Sequence, residues 1–314
     1  MIEAIFSATT LAQTLRMAIP YTCAGLGGVW SERSGVVNIA LEGILLSGAL
    51  GGAVAQLTTG SSWAGALAGA IVGGMLGALH ALVVVRGRID AIVSGLAINL
   101  VGAGGSRFVL RFLYDSSSNS PPIAGFRVWE PALLRSTGAS GASLLLRTLL
   151  DPFTLGTGAL VAWTAWTLSS TRFGLHVRAC GEDPSAAASA GVDSVCVRLA
   201  AVTLGGAIAG IGGVALAYDE HQFQSGMSGG RGFIALAAVV LSGWRPVRAA
   251  AACSAFAALD ALQIVLQERV GAGYGAQVLP YLATLAALWV MAKTRKGGRS
   301  PLVGRPPAAL GKAA

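Results

Sequence analysis

GVVNIALEGILLSGA, residues 35–49, and GRGFIALAAVVLSGW, residues 230–244, agree at seven of fifteen positions: Gly35, Ile39, Ala40, Leu41, Leu46, Ser47 and Gly48 against Gly230, Ile234, Ala235, Leu236, Leu241, Ser242 and Gly243. In a chain rich in Ala, Gly and Leu, chance supplies roughly one or two such matches. Two shorter pairs point the same way, GLGGV at 25–29 with GIGGV at 210–214 and ALHAL at 78–82 with ALDAL at 258–262. A duplicated chain is the reading adopted; convergence of low-complexity apolar helices is the alternative.

Composition fixes the setting of that duplication. Of 314 residues 54% are hydrophobic and 11% charged, with 44 glycines and a mean hydropathy of +0.67, against roughly 25% charged in a soluble domain. The fold class expected is an all-α polytopic membrane protein, a single transmembrane domain over residues 1–314. The net charge of +8 does not indicate nucleic acid, because the basic residues do not interleave with aromatics on one element. Cys23, Cys180, Cys196 and Cys253 lack C-x-x-C spacing and read as small packing residues. A cleavable signal peptide is not expected: Glu3 interrupts the basic start, and the first apolar run carries Arg16 and Pro20.

About nine spans follow: Leu15 to Val29, short and broken by Pro20; Val36 to Leu57; Trp63 to Val85; Ile89 to Leu113; Phe153 to Leu168; Leu199 to Tyr218; Gly232 to Leu241; Val247 to Leu266; and Leu279 to Ala292. Several are below the roughly 20 residues that cross hydrocarbon, and short, Gly-interrupted spans are typical of transporters. Repeat 1 occupies about 15–113 and repeat 2 about 199–292. A loop at 114–152, a linking span with its polar segment at 153–198 and a tail at 293–314 complete the chain. With the tail inside, connections 30–38, 86–89, 169–198, 242–248 and 292–314 become cytoplasmic and hold 14 of the 22 Lys and Arg residues, as the positive-inside rule requires. The duplicated halves then run in opposite senses, as inverted repeats with a path between them.

One cytoplasmic segment stands apart, FGLHVRACGEDPSAAASAG at 173–191. Its only strong helix start is Gly181-Glu182-Asp183-Pro184. Asp183 can cap free backbone N–H groups, Pro184 suits the first turn, and Gly191 supplies the stop. SAAASA between them makes about two turns. It has too little apolar surface to hold itself in place, so it reads as a docking element or as an ordinary capped loop helix.

SERSGVVNIALEGILLSGA (31–49), IDAIVSGLAINL (89–100), RFGLHVRACGEDPSAAASAGV (172–192) and RGFIALAAVVLSGWRP (231–246) together resemble the permease subunits of bacterial ABC importers of the simple-sugar and nucleoside branch, relatives of the ribose and branched-chain amino-acid permeases. The likeness covers almost the whole chain apart from the 114–152 loop and the tail, and the first and last motifs are those of nucleoside-type members. It implies residence in the bacterial cytoplasmic membrane, a cytoplasmic ABC ATPase that binds the ATP, an extracytoplasmic solute-binding protein, and a second, related permease, as a heterodimer or a homodimer. It further implies that the 184–190 helix is the coupling helix seated in a groove of the ATPase. The coupling set is then Arg178, Gly181, Glu182, Asp183, Pro184, Ala187 and Gly191. The Ala- and Gly-rich spans depart from the family pattern and leave the solute open.

Polar groups within spans are expensive in lipid and should face protein or a water-filled path. Asn38, Glu42 and Asn99 are candidate path residues, with Trp30 and Trp244 as stacking faces for a nucleoside base; His80, Asp260, Gln263, Tyr218 and Phe223 rank below them. Asn38 fits a half-helix cap equally well, and Asp260 an interhelical pair. The stretch Asp219 to Arg231 reads as a contact for the binding protein or as a solvated gate loop. No phosphate-binding G-x-x-x-x-G-K-[ST] loop or H-E-x-x-H helix occurs, so no catalytic residue, metal or cofactor is expected. Two classes remain: the importer permease, and a stand-alone carrier driven by an ion gradient with Glu42, Asp260 or Asp219 as its coupling acid.

Overall fold

The computed structural model describes residues 7–126, 141–270 and 305–311, with Leu282 and Ala286. Among these residues the chain is all-helical apart from loops and one isolated bridge, Asn119 with Gln224. The helices are α1 (Ala8–Arg33), α2 (Leu41–Thr59), α3 (Ser62–Ala81, continued as a π turn Leu82–Arg86), α4 (Ala91–Tyr114), α5 (Gly141–Leu149), α6 (Pro152–Ser170), α7 (Arg172–Glu182), α8 (Pro184–Ser189), α9 (Ser194–Asp219), α10 (Arg231–Leu241) and α11 (Pro246–Val270).

Five of these are long and apolar enough to cross a membrane, namely α2, α3 with its π turn, α4, α9 and α11; the α5–α6 pair, bent by 48°, makes a sixth. About nine were expected, and the helices among the described residues that fall short of this length and hydropathy criterion do so for physical reasons. The first span is an unbroken 26-residue helix running through Pro20, not a short broken one. Close neighbours tolerate a missing N–H inside a bundle, and Pro20 packs directly on Gly212 of α9. α1 is buried from Ala18 to Glu32, so protein rather than lipid covers it and high hydropathy is not required. α10 has only 11 residues, about 16 Å of helix. Of the ninth expected span, Leu279 to Ala292, only Leu282 and Ala286 are among the described residues.

α9 is the axis, with α1, α2 and α3 packed around it. The reason lies in spacing. Gly65, Gly69, Gly73 and Gly77 recur every fourth residue on one face of α3, Gly206 and Gly210 answer on α9, and Gly213 of α9 faces α2. A Cβ at Gly210 would collide with the Gly69 carbonyl oxygen, and one at Gly213 with that of Leu45. Backbones therefore touch, and dispersion between them replaces the hydrophobic drive that lipid does not supply. The outer faces carry Trp63, Leu67, Ile71 and Met75 on α3 and Leu100, Phe108 and Phe112 on α4, all more than half exposed, as a lipid-facing surface demands.

The connections gather in two groups. At one end the 33–37 segment meets Trp244, His80, Arg198, Gly181 and Gly311. At the other end Arg16 pairs with Asp219 (3.2 Å), Tyr218 donates to the Ser62 carbonyl (2.9 Å), and the loop after α4 joins that after α9 through Ser120 N–H to Phe223 O (2.9 Å) and Ser225 N–H to Ser118 O (2.7 Å). Phe223 is fully buried there, so part of the 219–231 stretch is anchored rather than loose. The first group contains the connections that the charge bias assigns to one side.

Candidate functional site

The polar segment after α6 holds two helices, where the sequence suggests one start. Thr171 accepts from Gly174 N–H (3.1 Å) and opens α7; Val177 and Cys180 face inward. α8 begins as its residues require. Asp183 Oδ1 accepts from Ser185 N–H (2.9 Å), Ala186 N–H (3.0 Å) and the Ser185 hydroxyl (2.6 Å), with Pro184 in the first turn. Its end is a Schellman arrangement: Gly191 at φ +84° donates to Ala188 O (2.9 Å), and Val192 to Ala187 O (3.0 Å). Ala187 is buried against α7 and α9, whereas Ser185, Ala186, Ala188 and Ser189 are exposed. The result is a stiff two-ended peg with a flat face of small side chains.

A residue that the sequence reading passed over holds this peg to the bundle. Arg198, 3% exposed near the start of α9, donates from Nε to Ser34 O (3.0 Å) and from Nη2 to Cys180 O (3.3 Å). It joins the end of α1, the end of α7 and α9 through a cation placed on helix-terminal carbonyls. Its signal was visible, an arginine one turn inside an apolar run, where an unpaired charge is costly. Gly181 packs its Cα on Arg33 and Gly35, and Arg178 reaches back to Gly174 O (3.4 Å). Burial raises the Cys180 thiol, with Arg198 acting in the opposite sense, so Cys180 is a packing group.

The other expected residues lie deeper. α2 and α10 both start without a side-chain cap of their own, and each receives one from another helix. Asn99 of α4 accepts from Gly43 N–H (2.8 Å) and donates to Ile39 O (3.0 Å). Glu42 of α2 accepts from Gly230 N–H on Oε1 (2.8 Å) and from Gly232 N–H on Oε2 (2.7 Å). The starts of α2 and α10 therefore converge on one carboxylate, where both helix dipoles favour negative charge. Gly230 sits at φ +85°, and a Cβ on Gly232 would stand 2.5 Å from Glu42 N, so glycine is needed at both for this approach.

Asn38 is fully buried. It accepts from Ala40 N–H (3.1 Å) and donates to the Ser31 hydroxyl (3.0 Å). Trp30 is also enclosed: it stacks near Trp163 (5.7 Å) and Phe173 (5.8 Å) and donates to Thr164 (3.2 Å). Trp244, at φ +58°, donates its indole N–H to Glu32, while its carbonyl accepts from Arg33 Nε (2.9 Å). The Val37 carbonyl accepts from His80 Nε2 (3.0 Å), leaving Nδ1 to accept from Ser94 (2.9 Å). Asp260 accepts from the Tyr21 hydroxyl (2.7 Å) with Arg231 at 4.0 Å. Among the described residues no cluster of His, Cys, Asp or Glu suits a metal.

A helical bundle with at least five helices of membrane-spanning length, two helix starts meeting inside it and a capped peg at one end belongs to the class of polytopic membrane proteins. The chain matches the family model described as branched-chain amino acid transport system / permease component over residues 10–291, and it belongs to that family. It is similar to the nucleoside ABC transporter permease protein NupC of Lactococcus lactis, 33% identical over 290 residues, covering 88% of this chain and 90% of the relative. A putative glucose ABC transporter permease protein, TsgC13 of Haloferax volcanii, is 34% identical over 310 residues, 90% and 91% of the two chains. The guanosine ABC transporter permease protein NupQ of Bacillus subtilis is 32% identical over 263 residues, 80% and 81%. The chain is thus a multi-pass permease subunit of an ABC importer, a transport subunit whose family works with an ATPase and a solute-binding protein.

Proposed function

We propose that the chain forms one half of a nucleoside path across the bacterial cytoplasmic membrane, paired with a related second permease. ATP is bound and hydrolysed by the partner ATPase, and α8 receives its stroke. The full membrane domain has nine spans in two inverted repeats, with α8 and the tail inside. The observation that carries this reading is the double-capped α8, exposed on its small-residue face and buried at Ala187. A rigid-body movement needs such a stiff element.

The stroke passes through residues already described. Displacing α8 moves α7, and Arg198 hands that movement to the end of α1 and to α9. Glu32 and Arg33 grip Trp244 just beyond α10, and α10 meets α2 through Glu42. Arg178, Gly181, Glu182, Asp183, Pro184, Ala187 and Gly191 form the coupling surface in this reading. Asn38, Glu42, Asn99, Trp30 and Trp244 set the shape of the path by fixing its helices, since their polar atoms are taken up by backbone and neighbours.

That distribution also weighs against a carrier driven by an ion gradient. Each acid such a carrier would use is engaged: Glu42 by two N–H groups, Asp260 by Tyr21, and Asp219 by Arg16. Nucleosides come before simple sugars because three of the similar proteins are named for nucleosides or guanosine and two for glucose. The test is uptake of tritiated nucleosides and labelled glucose by proteoliposomes holding all subunits, with and without ATP. Replacing Asp183 and Pro184 together with glycine should leave the protein in the membrane, ATP hydrolysis running and uptake lost. Wild-type uptake by that variant would remove the coupling role of α8.

A further inference from the structure

We propose that residues 305–311 form a strap that positions the coupling joint, fastening the break between α7 and α8 to the segment after α1; the proposal rests on the coupling reading given above. The stretch reads RPPAALG. Pro306 and Pro307 donate no N–H and keep the approach stiff. A turn follows, Leu310 N–H to Pro307 O at 3.0 Å, and Gly311 at φ +74° completes it.

Three backbone donors leave this turn for three receivers. Ala309 N–H reaches Gly181 O (2.9 Å), Ala308 N–H reaches Glu182 Oε2 (3.3 Å), and Gly311 N–H reaches Gly35 O (3.2 Å). The Ala309 side chain is 4% exposed, and Leu310 packs against the large apolar cluster containing Trp30 and Val177.

The choice of Gly181 follows from how α7 ends. In a continuous helix the Gly181 carbonyl would accept from the amide four residues on. That amide, Ser185 N–H, is taken by Asp183 Oδ1 (2.9 Å) when α8 starts. Breaking the helix to make the peg thus orphans the buried Gly181 carbonyl, a group that needs a donor. Ala309 supplies it. Arg198 links Cys180 and Ser34 from within the bundle, and the strap links their neighbours Gly181 and Gly35 from another side. Held twice, the joint cannot fold when α8 is pushed, and the displacement reaches α1 and α9.

The test uses the complete transporter in proteoliposomes. It reads solute moved per ATP hydrolysed, with tritiated guanosine, or labelled glucose if the uptake assay selects it. Two variants are compared with wild type: deletion of residues 305–314, and Ala309→Pro, which removes the Ala309 donor and stiffens the turn around it without shortening the chain. Copurification with the ATPase should persist, hydrolysis should continue, and solute moved per ATP should fall by at least about threefold, the scale of one lost hydrogen bond. The Asp183, Pro184 double-glycine variant is run beside them. If that variant transports normally, the coupling reading fails and takes the strap with it. If it uncouples while the deletion and Ala309→Pro keep the wild-type ratio, the strap is overturned and the coupling reading stands. Should the deletion not assemble, Ala309→Pro decides alone.

Discussion

The α3–α9 seam and the α7–α8 joint each hold two helices in fixed relation, by opposite means. At the centre of the seam backbone meets backbone: glycine faces glycine, and Gly210 touches the Gly69 carbonyl. At the joint nearly everything depends on polar atoms, from Asp183 on the α8 start to Arg198 on two carbonyls. The seam should therefore be intolerant of added volume and indifferent to charge. The joint should tolerate volume on its exposed face and fail when a donor or acceptor is lost. On the coupling role proposed for α8, the seam is a core that moves as a block and the joint a handle whose angle is set by directional bonds.

Gly210→Leu attacks the seam and carries the largest expected effect. Its side chain has no space between α9 and α3, so roughly 3 kcal/mol or more is lost, and size exclusion in detergent should show little monodisperse protein. Arg198→Met attacks the joint. It keeps the volume but leaves the Ser34 and Cys180 carbonyls without their donor, costing about 2–3 kcal/mol; a lowered thermal midpoint together with uncoupled hydrolysis is the expected pair of readings. A midpoint shift with coupling intact would confine Arg198 to stability. Glu42→Gln lies between the two regions and gives the smallest effect. The amide keeps one acceptor oxygen for the α10 start, so about 1 kcal/mol is lost. A larger loss would show that the charge itself, opposite two helix dipoles, carries most of the contact.

Much of the joint was legible because caps are local. Asp183, Pro184 and Gly191 lie within nine residues and each acts on its near neighbours, so spacing alone gave α8 within a residue of its observed end. The earlier helix α7 escaped because its cap, Thr171, follows two serines at the end of α6 and reads as part of a polar turn. The repeat drew attention to the segments that became α2 and α10, yet not to their meeting. Glu42 and Asn99 were singled out as expensive polar groups, and the structure places each on the start of a helix far away in sequence. Such pairings cannot be read from periodicity, because the residue and its receiver share no local pattern. Arg198 is the same case: its cost was visible, its partners were not.

The Glu42 bridge also sets an order of events during synthesis. This carboxylate is made 188 residues before Gly230, the first of its two N–H partners in the chain. The amino-terminal half must therefore enter the bilayer carrying an acid whose final partners do not yet exist, which is costly in hydrocarbon. Until α10 arrives, that half has to keep Glu42 beside water, a lipid headgroup or the insertion machinery, and closing the bridge marks the moment at which the two halves become one body.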